Sequence, residues 1–267
     1  MSFGRLAVIS GLVALGCSSR LPAQVDEEPK PKAALLAQAP TETAPIASAP
    51  TQTAAPAGRD ARSLGSTCNE QAPQEFLVRA HMNRAPISRK DVKESLQRRA
   101  QSIAYRTQHY GYYRGFGLPT DNPTSPLKNS ETTAFFDIPV VLNRAIIPAL
   151  KCVEAQLRKE CREHAYQPRI LSGLRRKNTY FDGDASNHVY GIAIDIDPLD
   201  NPCCGCVKPW SSNERCRGHR TSFERMRMPQ CWVTVFERFG FYWLGHDVLE
   251  DTMHFEFLGD PDRIVTH

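Results

Sequence analysis

The chain of 267 residues lacks several features that define large classes of protein. The apolar run from Leu6 to Gly16 is too short to span a bilayer, which takes about 20 apolar residues. The formal net charge is only +4, whereas nucleic-acid binding normally needs a concentrated basic footprint. No internal repeat is apparent, so nothing indicates a repeat array. These absences argue against nucleic acid as a partner and favour an ordinary folded domain.

The N-terminal region has the pattern of an export signal. A single cation, Arg5, precedes the apolar run, and the run ends in Ala14-Leu15-Gly16-Cys17, which resembles a bacterial lipobox. We predict that residues 1–17 are a lipoprotein signal peptide and that Cys17 carries a lipid that anchors the chain to a membrane. By analogy with Gram-negative lipoproteins, Ser18 predicts an outer-membrane lipoprotein of the cell envelope, facing the periplasm. The alternative is an ordinary cleaved signal with an incidental cysteine.

The next segment, residues 18–66, is rich in Ala, Pro, Thr and Gln and has few large apolar side chains. Such a composition cannot bury enough surface to fold, so we predict a disordered tether with a reach on the order of 40 Å. Residues 67–267 suit one domain with a single core, and we predict a helical extension over about residues 67–130 at its start.

Cysteine usage indicates an oxidising compartment. Apart from Cys17 the chain has an even set of eight, namely Cys68, Cys152, Cys161, Cys203, Cys204, Cys206, Cys216 and Cys231. Up to four disulfides are possible, and for the cluster Cys203–Cys206 we favour disulfides over a structural zinc. A helix predicted over Leu150–Glu163 would separate Cys152 from Cys161 by about 13 Å, whereas a disulfide needs Cα atoms within about 7 Å. These two cysteines are therefore predicted to bond elsewhere.

Other elements can be placed coarsely. Apolar residues at helical spacing predict a helix after Ser88, and these residues are Val92, Leu96, Ile103 and Ala104. A second helix is predicted from Trp232 to Phe239, ended by Gly240. The segment from Gly111 to Ser130 is rich in Gly, Pro, Asn and Tyr and is predicted to be a loop, either near the cleft or as an ordinary connection.

Two segments near the end of the chain, Ser186–Asp197 and Asp251–Phe257, show the side-chain alternation of half-polar strands. One set is apolar and is predicted to enter the core: Ile192, Ile194, Ile196, Phe255 and Phe257. The opposite set consists of Ala193, Asp195, Asp197, His254 and Glu256, and all of these except Ala193 carry a polar group. Two polar strand faces of this kind can converge on one ion.

A catalytic zinc usually takes three protein ligands from imidazole nitrogen and carboxylate oxygen and leaves a fourth position open. The chain offers such a set in His188, Asp195 and His254. The ion lowers the pKa of its water, but a base must still accept the proton, and Asp251, three residues before His254, is the candidate. For Asp197 and Glu256, orientation of a ligand and a plain surface or turn role both stay open.

The two segments resemble the VanY-type D-alanyl-D-alanine carboxypeptidases and the related L-alanyl-D-glutamate endopeptidases, which cut peptidoglycan stem peptides. The resemblance begins at Ser172-Gly173-Leu174-Arg175 and includes Asn201-Pro202 and Phe239-Gly240-Phe241-Tyr242-Trp243. It ends with the stretch from Asp251 to Phe257 and covers roughly the C-terminal third of the chain.

This resemblance implies zinc as the cofactor, with the ligands His188, Asp195 and His254. It also implies Asp251 as general acid/base and places Ser186 and Arg175 against the substrate. The guanidinium of Arg175 can bind a substrate carboxylate or stabilise charge in the transition state, which makes it a second catalytic candidate. The alternative for Arg175 is one cation in the solvated basic run Arg175-Arg176-Lys177.

The implied fold is an α+β domain with a small, mainly antiparallel sheet and flanking helices, similar to the Hedgehog/DD-peptidase fold and here stabilised by disulfides. The implied function is a zinc metallopeptidase acting on peptidoglycan stem peptide, as either carboxypeptidase or endopeptidase. The Asp-x-x-His ending leans towards the endopeptidase-like branch. The alternatives are a non-catalytic cell-wall-binding lipoprotein that retains the fold and a structural zinc, and a secreted toxin-like hydrolase. We expect a monomer.

The sequence departs from the family pattern between Trp243 and Asp251. Where a glycine pair and a tryptophan are expected, the chain has Leu244, Gly245, His246 and Val248. We expect this loop to border the substrate cleft, with His246 either contacting substrate or lying on the surface. Substrate preference is the property that this departure affects.

Overall fold

The computed structural model describes residues 67–78, 89–180, 184–206 and 210–266. The predicted signal peptide, the lipid site Cys17 and the tether at 18–66 lie outside the described residues, so they stay predictions. Within the described ranges, no helix combines the length and the apolar character needed to cross a bilayer.

The described part of the chain contains four α-helices and eight strands. The helices are α1 (Arg89–Tyr110), α2 (Ile147–Glu160), α3 (Ser222–Arg225) and α4 (Gln230–Arg238). The strands are β1 (Thr67–Cys68), β2 (Ser130–Phe135), β3 (Ile138–Asn143), β4 (Leu171–Ser172), β5 (Ala193–Ile196), β6 (Phe241–Trp243), β7 (His254–Phe257) and β8 (Val265–Thr266). Pairing between these strands is antiparallel throughout, which confirms the α+β class with small antiparallel sheets.

The four-stranded sheet, in the order β4-β5-β7-β6, positions the polar residues of both motif segments. In the register of β5 with β7, Asp195 lies opposite His254 and Ile194 lies opposite Phe255. Directly opposed residues of an antiparallel pair point to the same face, so the register collects the polar side chains on one face and the apolar ones on the other. Ala193 lies opposite Glu256, and its small side chain leaves room for that carboxylate.

Helix α4 covers the apolar face of this sheet. The ring of Phe236 stacks on Phe255 at 4.1 Å between centroids and meets Phe241 edge-on at 5.1 Å. Phe255 and Phe257 are fully buried, as the alternation in the sequence predicts. One face of the sheet therefore packs against α4 in the core, and the opposite face of β5 and β7 carries the polar side chains.

Helix α1 forms where it is predicted, but its apolar residues do not all face the core. Val92 and Leu96 are 43% and 57% exposed, whereas Arg106 and Thr107 are buried. The predicted helix after Ser88 is confirmed, and the apolar side chains of its first turns are exposed.

All eight cysteines pair in four disulfides: Cys68–Cys152, Cys161–Cys231, Cys203–Cys206 and Cys204–Cys216. Cys152 and Cys161 each bond elsewhere, as the geometry of helix α2 requires. Two of the bridges lie in the insertion between β5 and β7, and all three cysteines of the 203–206 cluster, which could have held a structural zinc, are oxidised. The preference for disulfides is confirmed.

Candidate metal centre

His188 reaches the site from a short 3-10 helix, Asn187–Tyr190, and not from a strand. The Ser186 hydroxyl caps the start of this turn by accepting the His188 N–H at 3.4 Å. Gly191 ends the turn in the left-handed region, at φ 70°, which a residue without Cβ adopts at no steric cost. The extended structure predicted for the whole first segment is therefore wrong before Ala193, where β5 begins.

Three buried side chains converge at the end of this turn: His188, Asp195 and His254. The His188 Nε2 atom lies 3.1 Å from Asp195 Oδ1 and 3.1 Å from His254 Nδ1. The His254 Nδ1 atom lies 2.9 Å from the same Asp195 oxygen. The three ligand atoms predicted from the sequence thus form a single compact triangle.

The far nitrogens of both histidines are occupied by acceptors. His188 Nδ1 lies 2.6 Å from the Gly173 carbonyl oxygen, and His254 Nε2 lies 3.2 Å from Glu256 Oε2. Each acceptor places the ring proton on the far nitrogen, so the near nitrogens present lone pairs towards Asp195 Oδ1. Three acceptor atoms that face one another at this distance need a cation among them, either a proton or a metal ion. The residues present therefore fit a metal ion.

The chemistry of this donor set matches zinc, which takes imidazole nitrogen and carboxylate oxygen and leaves a position open in catalytic sites. Although burial works against ionisation, the two neighbouring histidines hold the pKa of Asp195 well below its usual value. A carboxylate at this position is thus ionised and available to a cation. A second group of potential ligands, at Cys203, Cys206 and Asp251, is excluded because its sulfurs form a disulfide.

The metal-free triangle holds a proton where a cation would bind. Although burial opposes the charged form, hydrogen bonds to Asp195 and Glu256 raise the pKa of His254 to about 9. Below that pH His254 is protonated, and a metal ion that binds here must displace the proton. We expect release of about one proton per zinc at pH 7 and a fall of about tenfold in apparent affinity per pH unit below 9.

Titration calorimetry in buffers of different ionisation enthalpy measures this proton release. A binding enthalpy that is the same in all buffers would show that no proton leaves, and the protonation proposed for the metal-free triangle would be wrong.

Asp251 lies beside the triangle on the segment that leads into β7. Its Oδ1 atom is buried and has no hydrogen-bond partner in the structure. Burial, assisted by the negative charge of Asp195, raises the pKa of Asp251 to about 7. A carboxyl group with this pKa can both accept and return a proton near neutral pH, as the predicted general acid/base requires.

The disulfide-bonded loop 203–206 holds the Asp251 segment in place. The Gly205 N–H donates to the Leu249 carbonyl at 2.6 Å, and the Cys204 N–H donates to the Glu250 carbonyl at 3.2 Å. A Cβ at Gly205 would lie 2.4 Å from the Val248 carbonyl oxygen, so only glycine permits this approach. The loop thus acts as a backbone clamp on the residues that precede Asp251.

With Asp251 as the predicted general acid/base, we expect the double variant C203S/C206S to lower kcat by about tenfold, because small displacements of a catalytic group are costly. KM and bound zinc should stay unchanged, since the triangle does not include the loop. The matched control is C161S/C231S, which removes the bridge between α2 and α4 and should lower thermal stability without lowering kcat. Equal kcat losses in the two variants would assign the effect to general destabilisation.

Arg175 lies against the triangle. Its guanidinium pairs with Asp195 Oδ2, its backbone N–H donates to the His188 carbonyl at 3.0 Å, and its side chain is 36% exposed. Ser186 is brought to the same place but is buried, with its hydroxyl used as the helix cap. The structure thus brings both predicted substrate residues to the site, and their contacts with substrate stay predictions.

The structure places the three remaining polar candidates, Glu256, Asp197 and His246, in different surroundings. Glu256 contacts the imidazole of His254, so it takes the role of orienting a ligand, one of the two roles considered for it in the sequence analysis. Asp197 accepts the Tyr166 hydroxyl at 2.7 Å and backbone N–H groups at 2.8 Å, so it organises a turn. His246 pairs with Glu237 at 3.0 Å and is half-exposed.

One supporting contact was missed in the sequence. The buried guanidinium of Arg106 donates through Nε to Asn187 Oδ1 at 2.7 Å and through Nη2 to the Leu77 carbonyl at 3.0 Å. Asn187 directly precedes His188, so Arg106 fixes the turn that carries this histidine. No local pattern marks the pair, because 81 residues separate its members.

The fold and the site together define an α+β domain with a buried His/Asp group that can hold a metal ion, beside a carboxyl group with a raised pKa. A family model described as D-alanyl-D-alanine carboxypeptidase matches residues 182–257, a stretch that contains the whole triangle and Asp251. The match confirms the family resemblance over this segment and supports a peptidase acting on peptidoglycan, from a family that is metal-dependent in general. Arg175 lies outside the matched residues. No curated protein and no solved structure matches the chain.

Proposed function

We propose that this chain is a zinc-dependent peptidase that hydrolyses peptidoglycan stem peptides in the cell envelope. The observation that carries the proposal is the convergence of two imidazole nitrogens, those of His188 and His254, on Asp195 Oδ1, next to the carboxyl group of Asp251. A structural metal site needs only the converging ligand atoms. Amide hydrolysis also needs a group that accepts and returns a proton, and the Asp251 carboxyl group can do this.

A zinc ion bound here would supply Lewis acidity, which lowers the pKa of water towards neutrality and polarises a carbonyl oxygen. Asp251 accepts the proton of the attacking water and returns it to the departing amine. The partly exposed guanidinium of Arg175 faces the site and binds a substrate carboxylate or stabilises the developing oxyanion. His188, Asp195 and His254 act as the zinc ligands.

The proposed fold is the Hedgehog/DD-peptidase arrangement. Support comes from the four-stranded antiparallel sheet in which two adjacent strands, β5 and β7, each bring one residue of the triangle to the same face. The helix α4 on the opposite face agrees with this arrangement.

The bond cleaved is either the terminal D-Ala–D-Ala bond or the L-Ala–D-Glu bond. Digestion of purified muropeptides by the zinc-loaded full chain, followed by mass spectrometry, separates the two. The carboxypeptidase releases single D-alanine, and the endopeptidase releases the peptide from D-glutamate onward. If every muropeptide remains intact, the non-catalytic wall-binding alternative replaces the enzyme proposal.

The proposed location is the outer membrane, with the domain tethered to a lipid on Cys17 and facing the periplasm. Fractionation of cells that express the wild type or C17S tests this placement. We expect the wild type in the membrane fraction and C17S in the soluble periplasmic fraction. The same soluble distribution for both chains would overturn the anchor and favour a released, toxin-like hydrolase.

A further inference from the structure

A groove of about 410 Å³ lies next to the candidate metal centre, on the side of Arg175. One wall comes from the loop between α1 and β2, and the other comes from the segment that follows β4. The wall residues used below are Tyr112, Arg114, Leu127, Leu174, Arg175 and Arg176. Arg175 both contacts Asp195 and lines the groove, so this residue belongs to the site and to the groove.

The loop wall is held in one conformation by its own backbone. Gly111 has a φ of 108°, and a Cβ there would lie 2.5 Å from the Thr124 carbonyl oxygen. The Tyr112 N–H donates to the same carbonyl at 2.9 Å, which closes the loop on itself. This wall is therefore a preformed surface.

The two walls are also joined to each other. The Tyr113 hydroxyl accepts the Asn178 N–H at 3.0 Å and donates to the Arg176 carbonyl at 3.4 Å. The ring of Tyr113 also lies 6.4 Å from Tyr190, which belongs to the turn that carries His188. Tyr113 thus connects the two walls of the groove to each other and to the turn that carries the metal-ligand candidate His188.

The charge in the groove has one sign. Arg114, Arg175 and Arg176 line it, and among the described lining residues there is no carboxylate. Arg114 and Arg176 are exposed, so their guanidinium groups can reach an incoming ligand. Leu127 also lines the groove, is 48% exposed and offers apolar contact. A ligand that fits is an extended chain with carboxylates and short apolar parts.

We propose that this groove binds the carboxylate-bearing part of the substrate peptide, with Arg114 and Arg176 as the residues that recognise its free carboxylates. The inference rests on the proposed function and specifies the substrate class of that site. Arg175 serves the reacting end, whereas the other two arginines fix the register of the peptide at a distance from the scissile bond. Leu127 and Tyr112 pack against the aliphatic parts of the chain.

The test compares muropeptides whose carboxylates are free with the same muropeptides amidated at the carboxylates away from the scissile bond. We expect R114Q and R176Q each to raise KM for the free-carboxylate substrate by about twofold to fivefold at low salt, because each loses one partly exposed charge pair. The kcat should not change, since neither residue touches the reacting atoms. On the amidated substrate the variants should match the wild type.

Lys177 provides the matched control, because it is exposed and adjacent to Arg176 but does not line the groove. K177Q should leave KM unchanged on both substrates. The KM of the wild type for the free-carboxylate substrate should also rise with salt, and R114Q/R176Q should flatten this dependence. Equal effects of the arginine variants on free and amidated substrates would overturn charge recognition in the groove.

Failure of the proposed function gives a different result. If the wild type cleaves neither substrate, the enzyme proposal fails, and calorimetric binding of the same two muropeptides to the full chain still tests the groove. Binding that prefers the free carboxylates and weakens in R114Q/R176Q supports the groove. Binding that ignores amidation overturns it.

Discussion

Replacement of Asp251 by asparagine is expected to lower kcat by about 10²-fold to 10⁴-fold, the range that a general acid/base contributes. Asparagine keeps the size of the side chain but cannot accept and return a proton. Since Asp251 stands outside the triangle of His188, Asp195 and His254, bound zinc should remain at wild-type stoichiometry. Muropeptide turnover and metal analysis of the same preparation measure the two quantities together.

The control for this variant is D262N, which removes an exposed carboxylate from the C-terminal turn. It should leave both kcat and zinc unchanged. If D251N turns over substrate at the wild-type rate, the role assigned to Asp251 is wrong. If D251N loses zinc as well, its loss of activity reports on the metal centre and not on proton transfer.

The pH profile adds a second readout. The ionised form of Asp251 is the base, so activity is lost as pH falls through the pKa of this group. Burial raises that pKa to about 7 in the metal-free site, and a nearby cation favours the ionised form and lowers it again. We therefore expect the acid limb of kcat below pH 7 in the wild type. The residual activity of D251N should lack this limb.

The two strands that carry Asp195 and His254 were predictable from alternation alone. Each motif segment places apolar side chains at every second position, and a slip of one residue would turn all of them to the polar face, so such a slip is excluded. Asp195 and His254 consequently meet in the register that buries Ile194 against Phe255. For these residues, the same alternation that buries the apolar side chains in the core also brings the polar side chains together at the site.

The position of His188 follows another rule. The residues that shape its turn, Ser186 and Gly191, are a helix cap and a left-handed terminator, and both were visible in the sequence. The prediction of a strand over the whole segment was wrong because it continued the strand through these two residues to Ser186. A histidine on a turn can approach β5 and β7 from the end of the sheet, which a third residue on the same strand face cannot do.

The contact of Arg106 with Asn187 could not be predicted from the sequence, and the reason is physical. Helical periodicity shows which residues share a face, but it does not show which face packs inward when the apolar residues are few. In α1 the exposed Leu96 and the buried Arg106 reverse the usual preference. The guanidinium is compensated by acceptors that come from distant parts of the chain, and only the folded structure brings them together.

The two histidines of the triangle are oriented by different kinds of hydrogen-bond acceptor, a backbone carbonyl and a side-chain carboxylate, and only the second can be removed by a substitution. His188 is oriented by a backbone carbonyl, that of Gly173, which no side-chain substitution removes. His254 is oriented by the side chain of Glu256. The orientation of His254 can therefore be altered by substitution of a residue that is not itself a ligand.

Replacement of Glu256 by glutamine is expected to weaken zinc binding by about 10-fold to 100-fold, as loss of a hydrogen-bonded partner of a metal ligand usually does. The carboxylate accepts the His254 Nε2 proton and so keeps the lone pair on Nδ1, while its negative charge strengthens that nitrogen as a ligand. Glutamine is neutral, and its amide can donate to Nε2 and favour the wrong tautomer. Competition titration against a zinc chelator measures the change.

The matched control for this variant is E131Q, which neutralises an exposed glutamate of β2 and should leave zinc affinity unchanged. Since the negative charge of Glu256 also raises the pKa of His254, E256Q should release less than one proton on binding zinc at pH 7. Weaker binding and reduced proton release together would trace both effects to His254. Unchanged affinity with normal proton release would mean that packing alone fixes the His254 ring, and that the carboxylate is not its orienting group.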